Sequence, residues 1–216
     1  MILSHKYKFI FIKNQKVAGT SIEVFLSQCC GQEDIVTPIQ PPVPPHAARN
    51  YQWNGMPFPE DPADPKMLKF YNHMSASAVQ QRIPRGLWEG CFKFCVERNP
   101  WDKTVSHFHQ INHLRGGDWS FEQYLEKGRF CSDFPRYSAP DGTLLVDRVV
   151  RYESLKEELD QVFERLGIPF NGSLGVRAKS EYRSDKRHYR DYYSPSARAV
   201  VEEAFACEIA LLGYEF

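Results

Sequence analysis

The sequence predicts an α/β fold in which helices cover both faces of a parallel sheet. Short β-rich apolar runs alternate along the chain with segments of helical periodicity. The first run, residues 7–12, is followed by a short polar loop and a helical pattern over 21–26. Because sequential strands separated by helices pair in parallel, their carboxyl ends are expected to meet at one edge of the sheet, where such folds bind ligands.

The later elements follow the same alternation. Strands are predicted at 67–71, 91–96 and 144–152, where apolar and β-branched residues cluster. Helices are predicted at 75–82, 101–114, 120–127 and 155–166 from apolar spacing and from start and stop residues such as Pro100, Ser120 and Gly167. A last helix begins at Ser194 and Pro195, an N-cap and a first-turn proline, and carries apolar residues as far as Leu212.

The composition fits one domain spanning residues 1–216. A chain of this length buries roughly 70% of the surface that its unfolded form exposes, so it needs no disulfide or metal to hold its core. The 27 Lys and Arg balance the 27 Asp and Glu, which excludes a broad positive surface for nucleic acid but not a local phosphate site. With no membrane span or signal peptide evident, the expected location is the cytoplasm.

Neither a disulfide framework nor a metal site is predicted. The six cysteines are adjacent or scattered, which favours reduced thiols. The one ligand-like cluster, His107, His109 and His113, lies on a predicted helix, where histidines are more often hydrogen-bonded or solvated than bound to zinc.

Residues 37–65 form a proline-rich stretch that contains nine of the fifteen prolines. Proline disrupts both helices and ladders, so this stretch is predicted to be a loop, either a cover over a binding site or a disordered insertion. Its residues Arg49, Tyr51 and Trp53 have the chemistry to stack on and bind a sugar, and lid or core packing explains them almost equally well.

The loop after the first strand has the composition of a phosphate cradle. Its lysine, small residues and hydroxyls are Lys16, Val17, Ala18, Gly19, Thr20 and Ser21. Backbone amides at the start of the next helix point toward an anion, and a glycine allows close approach. The lysine precedes the glycine and none follows it, so this is not a Walker A loop.

A second polar cluster follows the strand at 91–96. Arg98 lies at its carboxyl end, Pro100 turns the chain into a helix, and Ser106 lies on that helix, where it could meet an anion held by Arg98. Alternatively, Arg98 pairs with Glu97 or Asp102 and Ser106 is a surface hydroxyl.

Taken together, KxxGTS and RNPxxKxxxS in this order resemble the sulfotransferases that use 3′-phosphoadenosine 5′-phosphosulfate (PAPS), most closely the heparan 2-O- and chondroitin-type carbohydrate branch. The resemblance implies a P-loop-like three-layer fold, PAPS as co-substrate, no metal, and a hydroxyl acceptor, for which it indicates a carbohydrate. It also implies that residues 16–21 hold the 5′-phosphosulfate and that Arg98 and Ser106 hold the 3′-phosphate. A basic loop before the last helix would add Arg183 or Lys186. Lys103 stands where an arginine is usual, which bears only on a helix contact.

The resemblance also suggests the catalytic groups. Lys16 would neutralise charge on the leaving phosphate, and His73, in an HxS context at a predicted strand end, would be the base for the acceptor hydroxyl. The alternative for His73 is a strand-end cap. Two other functions stay open at this stage: a P-loop kinase or other phosphotransferase, and a nucleotide-binding module without catalysis.

Overall fold

The computed structural model describes residues 1–52, 69–176, 178, 185 and 187–216. Its strands are β1 (Ile2–Ser4), β2 (Phe9–Phe11), β3 (Ile35–Val36), β4 (Phe92–Glu97) and β5 (Arg148–Arg151). Its helices are α1 (Gly19–Cys29), α2 (Ala76–Gln80), α3 (Arg85–Gly90), α4 (Pro100–Arg115), α5 (Phe121–Glu126), α6 (Phe134–Tyr137), α7 (Leu155–Leu166), α8 (Pro195–Ala204) and α9 (Ala206–Leu212). Short 3₁₀ turns occupy Tyr152–Ser154 and Tyr189–Tyr192.

The strands form one sheet in the order β3-β1-β2-β4-β5. The pairs β2–β4 and β4–β5 are parallel, with Phe11 opposite Phe94 and Glu97 opposite Arg151. β1 runs antiparallel to both β2 and β3. The parallel half therefore brings the carboxyl ends of β2, β4 and β5 to one edge, as predicted, and β1 and β3 extend the sheet in a mixed arrangement that the sequence did not predict.

Helices cover both faces of the sheet because alternate strand residues point in opposite directions. On one face Leu3, Ile10 and Cys95 pack against apolar side chains from α2 and α3. On the other face lie Phe9, Phe94 and Val150, together with apolar residues of α1 and α7. The predicted three-layer α/β architecture is confirmed.

A third apolar cluster joins the helices beside the sheet. Trp101 and Val105 of α4 pack with Tyr124 of α5, Val201 of α8 and Phe205, which lies between α8 and α9. This cluster supports α4 from behind, so the opposite side of α4 faces the carboxyl edge of the sheet. Within the described residues, no helix combines the length and apolarity needed to cross a membrane.

Three predicted elements differ in the structure. At 67–71, Lys69 makes only an isolated bridge to Gln52, and residues 67 and 68 lie outside the described part. The predicted strand at 144–152 contains β5 only. The last helix is broken at Phe205, where a φ of −119° leaves the helical region. All six cysteines are free thiols, in agreement with the prediction.

Candidate active site

A cavity of about 870 Å³ opens at the carboxyl ends of β2 and β4. The predicted site residues within the described part of the chain all line it: Lys16, Val17, Ala18, Gly19, Thr20, Ser21, His73, Arg98 and Ser106. Arg183 and Lys186 lie outside the described residues. The structure thus brings together residues that are up to 90 positions apart, because parallel strands end at the same edge.

The loop between β2 and α1, residues 13–18, is called here the first loop. Lys16 and Ala18 have φ values of 60° and 57°, in the left-handed region that side chains rarely adopt. Ala18 is the N-cap of α1 and has no side chain that could accept a hydrogen bond from the helix amides. The first amides of α1 are therefore available to an anion, and the helix dipole favours negative charge there.

Gly19 is required by packing inside the first loop. A Cβ at this position would lie 2.9 Å from Lys13 Cγ and 3.1 Å from the Asn14 carbonyl oxygen. Close approach of an anion was the predicted reason for this glycine, and the packing of Lys13 and Asn14 is a second reason.

Lys13, the first residue of the first loop, forms a buried ion pair with Glu23 of α1. Lys13 Nζ lies 2.6 Å from Glu23 Oε2, with 2% and 0% of the side chains exposed. The Met1 ammonium also donates to Glu23 Oε1, at 2.7 Å. Burial alone would raise the pKa of Glu23, but these two cations hold it below its usual range. These contacts fix the start of the first loop, at Lys13, to α1.

Arg98 contacts both the first loop and α4. Its Nη1 donates to the Lys16 carbonyl oxygen at 3.1 Å, and its Nε and Nη2 donate to Asp102 Oδ2 at 2.9 and 2.6 Å. Its guanidinium carbon lies 4.4 Å from the centre of the Tyr152 ring. The alternative pairing of Arg98 with Asp102 is therefore present, and Arg98 nevertheless lines the cavity.

One side of α4 faces the cavity. Asp102, Ser106 and Gln110 recur every four residues and all three line it. Asn99 starts the helix by accepting hydrogen bonds from the amides of Trp101 and Asp102, at 3.1 and 3.4 Å. Ser106 therefore lies on the same side of α4 as Asp102, about two helical turns after Arg98. Asp102 and Gln110 were not predicted to line the cavity.

His73 also lines the cavity and has a left-handed φ of 60°. Its Nδ1 is 3.0 Å from the Lys13 carbonyl oxygen. Because a carbonyl can only accept, Nδ1 carries the proton and Nε2 keeps its lone pair. Burial, helped by the charges of Lys13 and Arg136, lowers the pKa of His73 to about 4, so the imidazole is neutral at pH 7.

Lys103 is buried below the first loop, in a cluster with two carboxylates. Its Nζ lies 2.6 Å from Glu97 Oε1 and 2.8 Å from Asp133 Oδ2, and all three side chains are 0% exposed. Burial and the neighbouring Asp133 raise the pKa of Glu97 to about 7, whereas Lys103 and Arg136 hold that of Asp133 below its usual range despite burial. Lys103 thus makes more than the helix contact inferred from the sequence.

The outer wall of the cavity comes from the segment before α8. Asp185, Arg187, His188 and Tyr189 line it, and Arg187 Nε lies 2.7 Å from Asp185 Oδ2. Ala178 also lines the cavity and donates its backbone N–H to Ser21 Oγ of α1 at 3.0 Å. The basic character of this segment was predicted, but for Arg183 and Lys186; within the segment, Arg187 is the described lysine or arginine that lines the cavity.

Residues 37–52 of the proline-rich stretch lie within the described part of the chain. Arg49 donates to the carbonyl oxygens of Ser27, Cys30 and Gly31 at the end of α1, at 3.0 to 3.3 Å. Tyr51 packs against the core. For these two residues the packing alternative is correct, and neither lines the cavity. Trp53 lies outside the described residues.

Two of the three histidines of α4 contact tyrosines. His107 Nδ1 is 2.8 Å from the Tyr124 hydroxyl, and His109 Nε2 is 2.8 Å from the Tyr192 hydroxyl. Across the described residues, no group of three potential ligands is arranged to hold a metal ion.

Comparisons with known proteins place this geometry in context. No family model matches the chain. An uncharacterized protein of Archaeoglobus fulgidus is 30% identical over 117 residues, which are 51% of this chain and 98% of that protein. The two chains therefore belong to one family. The name of the Archaeoglobus protein states no activity.

Among solved structures, mouse sulfotransferase SULT7A1 complexed with PAP is similar, with a TM-score of 0.51 and 14% identity over 98% of this chain and 87% of that chain. A sulfotransferase from Alicyclobacillus acidocaldarius has a TM-score of 0.49 and 16% identity, over 97% and 96% of the two chains. The similarity to the mouse protein shows that this chain has the sulfotransferase fold.

Proposed function

We propose that the protein transfers the sulfuryl group of PAPS to a hydroxyl group, most simply that of a carbohydrate. The observation that carries the proposal is the single cavity in which an uncapped helix N-terminus, Lys16, Arg98, Ser106 and a neutral His73 come together. An anion site next to a histidine base suits transfer of an anionic group to a hydroxyl. The mouse sulfotransferase of the same fold is complexed with PAP.

In the proposed complex, the first loop and the start of α1 hold the 5′-phosphosulfate. The amides from Val17 to Thr20 provide hydrogen bonds, and Lys16 provides a positive charge. Arg98 and Ser106 hold the 3′-phosphate, with two of the guanidinium's five N–H groups already committed to Asp102 and one to Lys16. Arg187 adds positive charge from the outer wall.

His73 is the proposed base. As the acceptor oxygen forms its bond to sulfur, the bond from sulfur to the phosphate oxygen breaks, and the hydroxyl proton passes to His73 Nε2. The Lys13 carbonyl, by accepting from Nδ1, keeps the lone pair on Nε2. Burial makes His73 a weak base in the empty site, and the negative charge of the bound donor raises its pKa toward the range where a base is most effective.

The products are a sulfated acceptor and 3′-phosphoadenosine 5′-phosphate (PAP). The zero net charge of the chain favours a short or weakly charged acceptor over a long polyanion, because a polyanion needs a broad basic groove. The carbohydrate acceptor and the cytoplasmic location predicted from the sequence are parts of this proposal.

The test uses PAPS labelled with radioactive sulfate. The purified protein is incubated with neutral oligosaccharides, lipids, small hydroxyl metabolites and tyrosine peptides, and the products are separated and counted. We expect label in an oligosaccharide with the wild type and only background with His73→Ala. Absence of label from every acceptor, together with retained binding of PAP, would instead support a binding module.

A further inference from the structure

Residues 131–137, which include α6, belong to none of the motifs identified in the sequence. Asp133 in this segment is completely buried, yet its carboxylate contacts the first loop. Its Oδ2 accepts from the Gln15 backbone N–H at 2.8 Å, although 118 positions separate the two residues. A buried carboxylate bonded to the backbone of the proposed anion-binding loop needs an explanation.

Asp133 is bonded on both of its oxygens. Oδ2 also accepts from Lys103 Nζ at 2.8 Å, and Oδ1 accepts from Arg136 Nε at 2.8 Å. These charge-assisted bonds, each stronger than a neutral one, fix the carboxylate in one orientation. The Gln15 amide is therefore held by a group that cannot easily move.

Arg136 extends this network to His73. Its Nε binds Asp133, and its Nη1 donates to the backbone carbonyl oxygen of His73. The imidazole of His73 in turn donates from Nδ1 to the Lys13 carbonyl oxygen at 3.0 Å. Lys13 is two residues before Gln15, so the contacts form a closed ring.

The ring runs from Asp133 to Gln15, along the chain to Lys13, across to His73, and back through Arg136. It holds His73 at two points, the imidazole and the backbone carbonyl. The left-handed φ of His73 is a strained conformation for a non-glycine residue and persists only where neighbouring contacts hold it. Arg136 supplies such a contact at this peptide.

We propose that Arg136 and Asp133 are positioning residues that set the distance between the His73 imidazole and the first loop. This inference rests on the proposed function, in which His73 is the base and the first loop holds the leaving phosphate. Neither Asp133 nor Arg136 lines the cavity, so both act through His73 and Gln15. A shift of about 1 Å in such a geometry costs on the order of 10²-fold in rate.

A purely structural role for Arg136 predicts a different pattern. Loss of an Asp133–Arg136 ion pair would then lower stability, and activity would fall only as far as the folded fraction falls. Arg136→Lys separates the two roles. A lysine keeps a cation for Asp133, but its single nitrogen replaces a planar fork that reaches two acceptors from two nitrogens.

The experiment compares Arg136→Met and Arg136→Lys with wild type. The matched control is Arg148→Met, because Arg148 is likewise paired with a carboxylate, that of Glu158, to which its Nε and Nη2 donate, but it lies at the amino end of β5. Four quantities are measured: kcat for sulfate transfer, Kd for PAP, the free energy of unfolding in urea, and the tautomer of His73 from ¹⁵N NMR of the imidazole nitrogens.

We expect Arg136→Met to lower kcat about 10²-fold, to change the PAP Kd less than about threefold, and to mix the Nδ1–H and Nε2–H tautomers of His73. Arg136→Lys is expected to restore stability but not kcat. Arg148→Met is expected to leave kcat and the tautomer unchanged.

An unchanged kcat and a single Nδ1–H tautomer in Arg136→Met would overturn the proposal, as would recovery of stability and kcat in the same proportion in Arg136→Lys. If the wild type transfers no sulfate, the proposed function fails. Positioning of His73 by Arg136 is then judged by the tautomer alone, which must change in Arg136→Met and stay unchanged in Arg148→Met.

Discussion

The inner and outer sides of the cavity are built in opposite ways. On the inner side, Lys13, Glu23, Lys103 and Asp133 are at most 2% exposed and are joined by ion pairs of 2.6 to 2.8 Å. On the outer side, the Asp185–Arg187 pair joins residues two positions apart, with 30% and 59% of the side chains exposed.

This difference separates rigidity from adaptability. Removal of one partner from a buried ion pair lowers the stability of the protein by several kcal/mol. The inner side therefore keeps one geometry, in which hydrogen-bond donors are already oriented toward charge that develops during a reaction. An exposed local pair exchanges its partners with water and salt at little cost. Variants of the inner side should therefore change catalysis or folding, and variants of the outer side should change only nucleotide affinity.

The largest effect is expected from His73→Ala. Loss of the base should reduce kcat for sulfate transfer about 10³-fold, within the range that general bases contribute. Because His73 is not a predicted phosphate ligand, the Kd for PAP should stay within about threefold of wild type by titration calorimetry. An equal loss of transfer and of PAP binding would assign His73 to binding or folding.

Lys103→Met should cause the largest loss of stability. It leaves Glu97 and Asp133 buried without their shared cation, and breaking a buried pair typically costs about 3–5 kcal/mol. The free energy of unfolding in urea measures this loss. Arg85→Met is the control, since it removes an exposed pair with Glu89; a comparable loss in both variants would refute the contrast between buried and exposed charge.

Stability should also depend on pH through the buried histidines. Burial lowers the pKa of both His73 and His107 to about 4 from an ordinary value of 6.5. Between pH 6.5 and about 4, the unfolded chain protonates each of these histidines, whereas the folded chain keeps it neutral. Each histidine therefore lowers the free energy of unfolding as the pH falls through this range, by up to about 3 kcal/mol.

The test is the difference between wild type and His107→Gln. As the pH falls from about 7.5 to about 4.5, the free energy of unfolding should decrease less in the variant than in wild type, because the variant lacks one histidine whose pKa is lowered by folding. Opposing contributions such as that of Glu97 are common to both proteins and leave this difference unchanged. Identical losses would show that His107 titrates normally.

The smallest effect is expected from Arg187→Gln. An exposed charge contributes little to binding because water and salt screen it, so the PAP Kd should rise at most about fivefold. The rise should be smaller at high salt, because salt screens exposed charges. Calorimetry at two salt concentrations checks this, and a large effect independent of salt would mean that the outer side is as preorganised as the inner side.

The parts of the site that the sequence predicted depend on local patterns. Lys16 to Ser21 lie at the end of the first loop and in the first turn of α1, and Arg98 and Ser106 lie at one strand end and on the helix that follows it. Spacing along the chain therefore suffices to place them. The fold was predictable for the same reason, because β2, β4 and β5 alternate with helices. The roles of residues 16–21, Arg98 and Ser106 as nucleotide ligands remain predictions.

The parts that the sequence did not predict depend on distant contacts. Asp133 meets Gln15 across 118 positions, and no local pattern in residues 131–137 indicates this contact. β1 and β3 have three and two residues, too few for a period to be recognised. Arg49 has the chemistry of a sugar ligand and instead caps α1, because only the fold reveals the three carbonyls that it meets.

The central claim is that one cavity binds a nucleotide with phosphates at both its 3′ and 5′ positions. The most direct measurement compares PAP, adenosine 5′-monophosphate and ATP with Mg²⁺ by titration calorimetry, for wild type and Arg98→Met. Wild type should bind PAP at least about tenfold more tightly than the other two, since a charge-assisted bond is worth about 1.5–3 kcal/mol. Arg98→Met should abolish that preference. Equal or tighter binding of ATP with Mg²⁺ by the wild type would contradict the account.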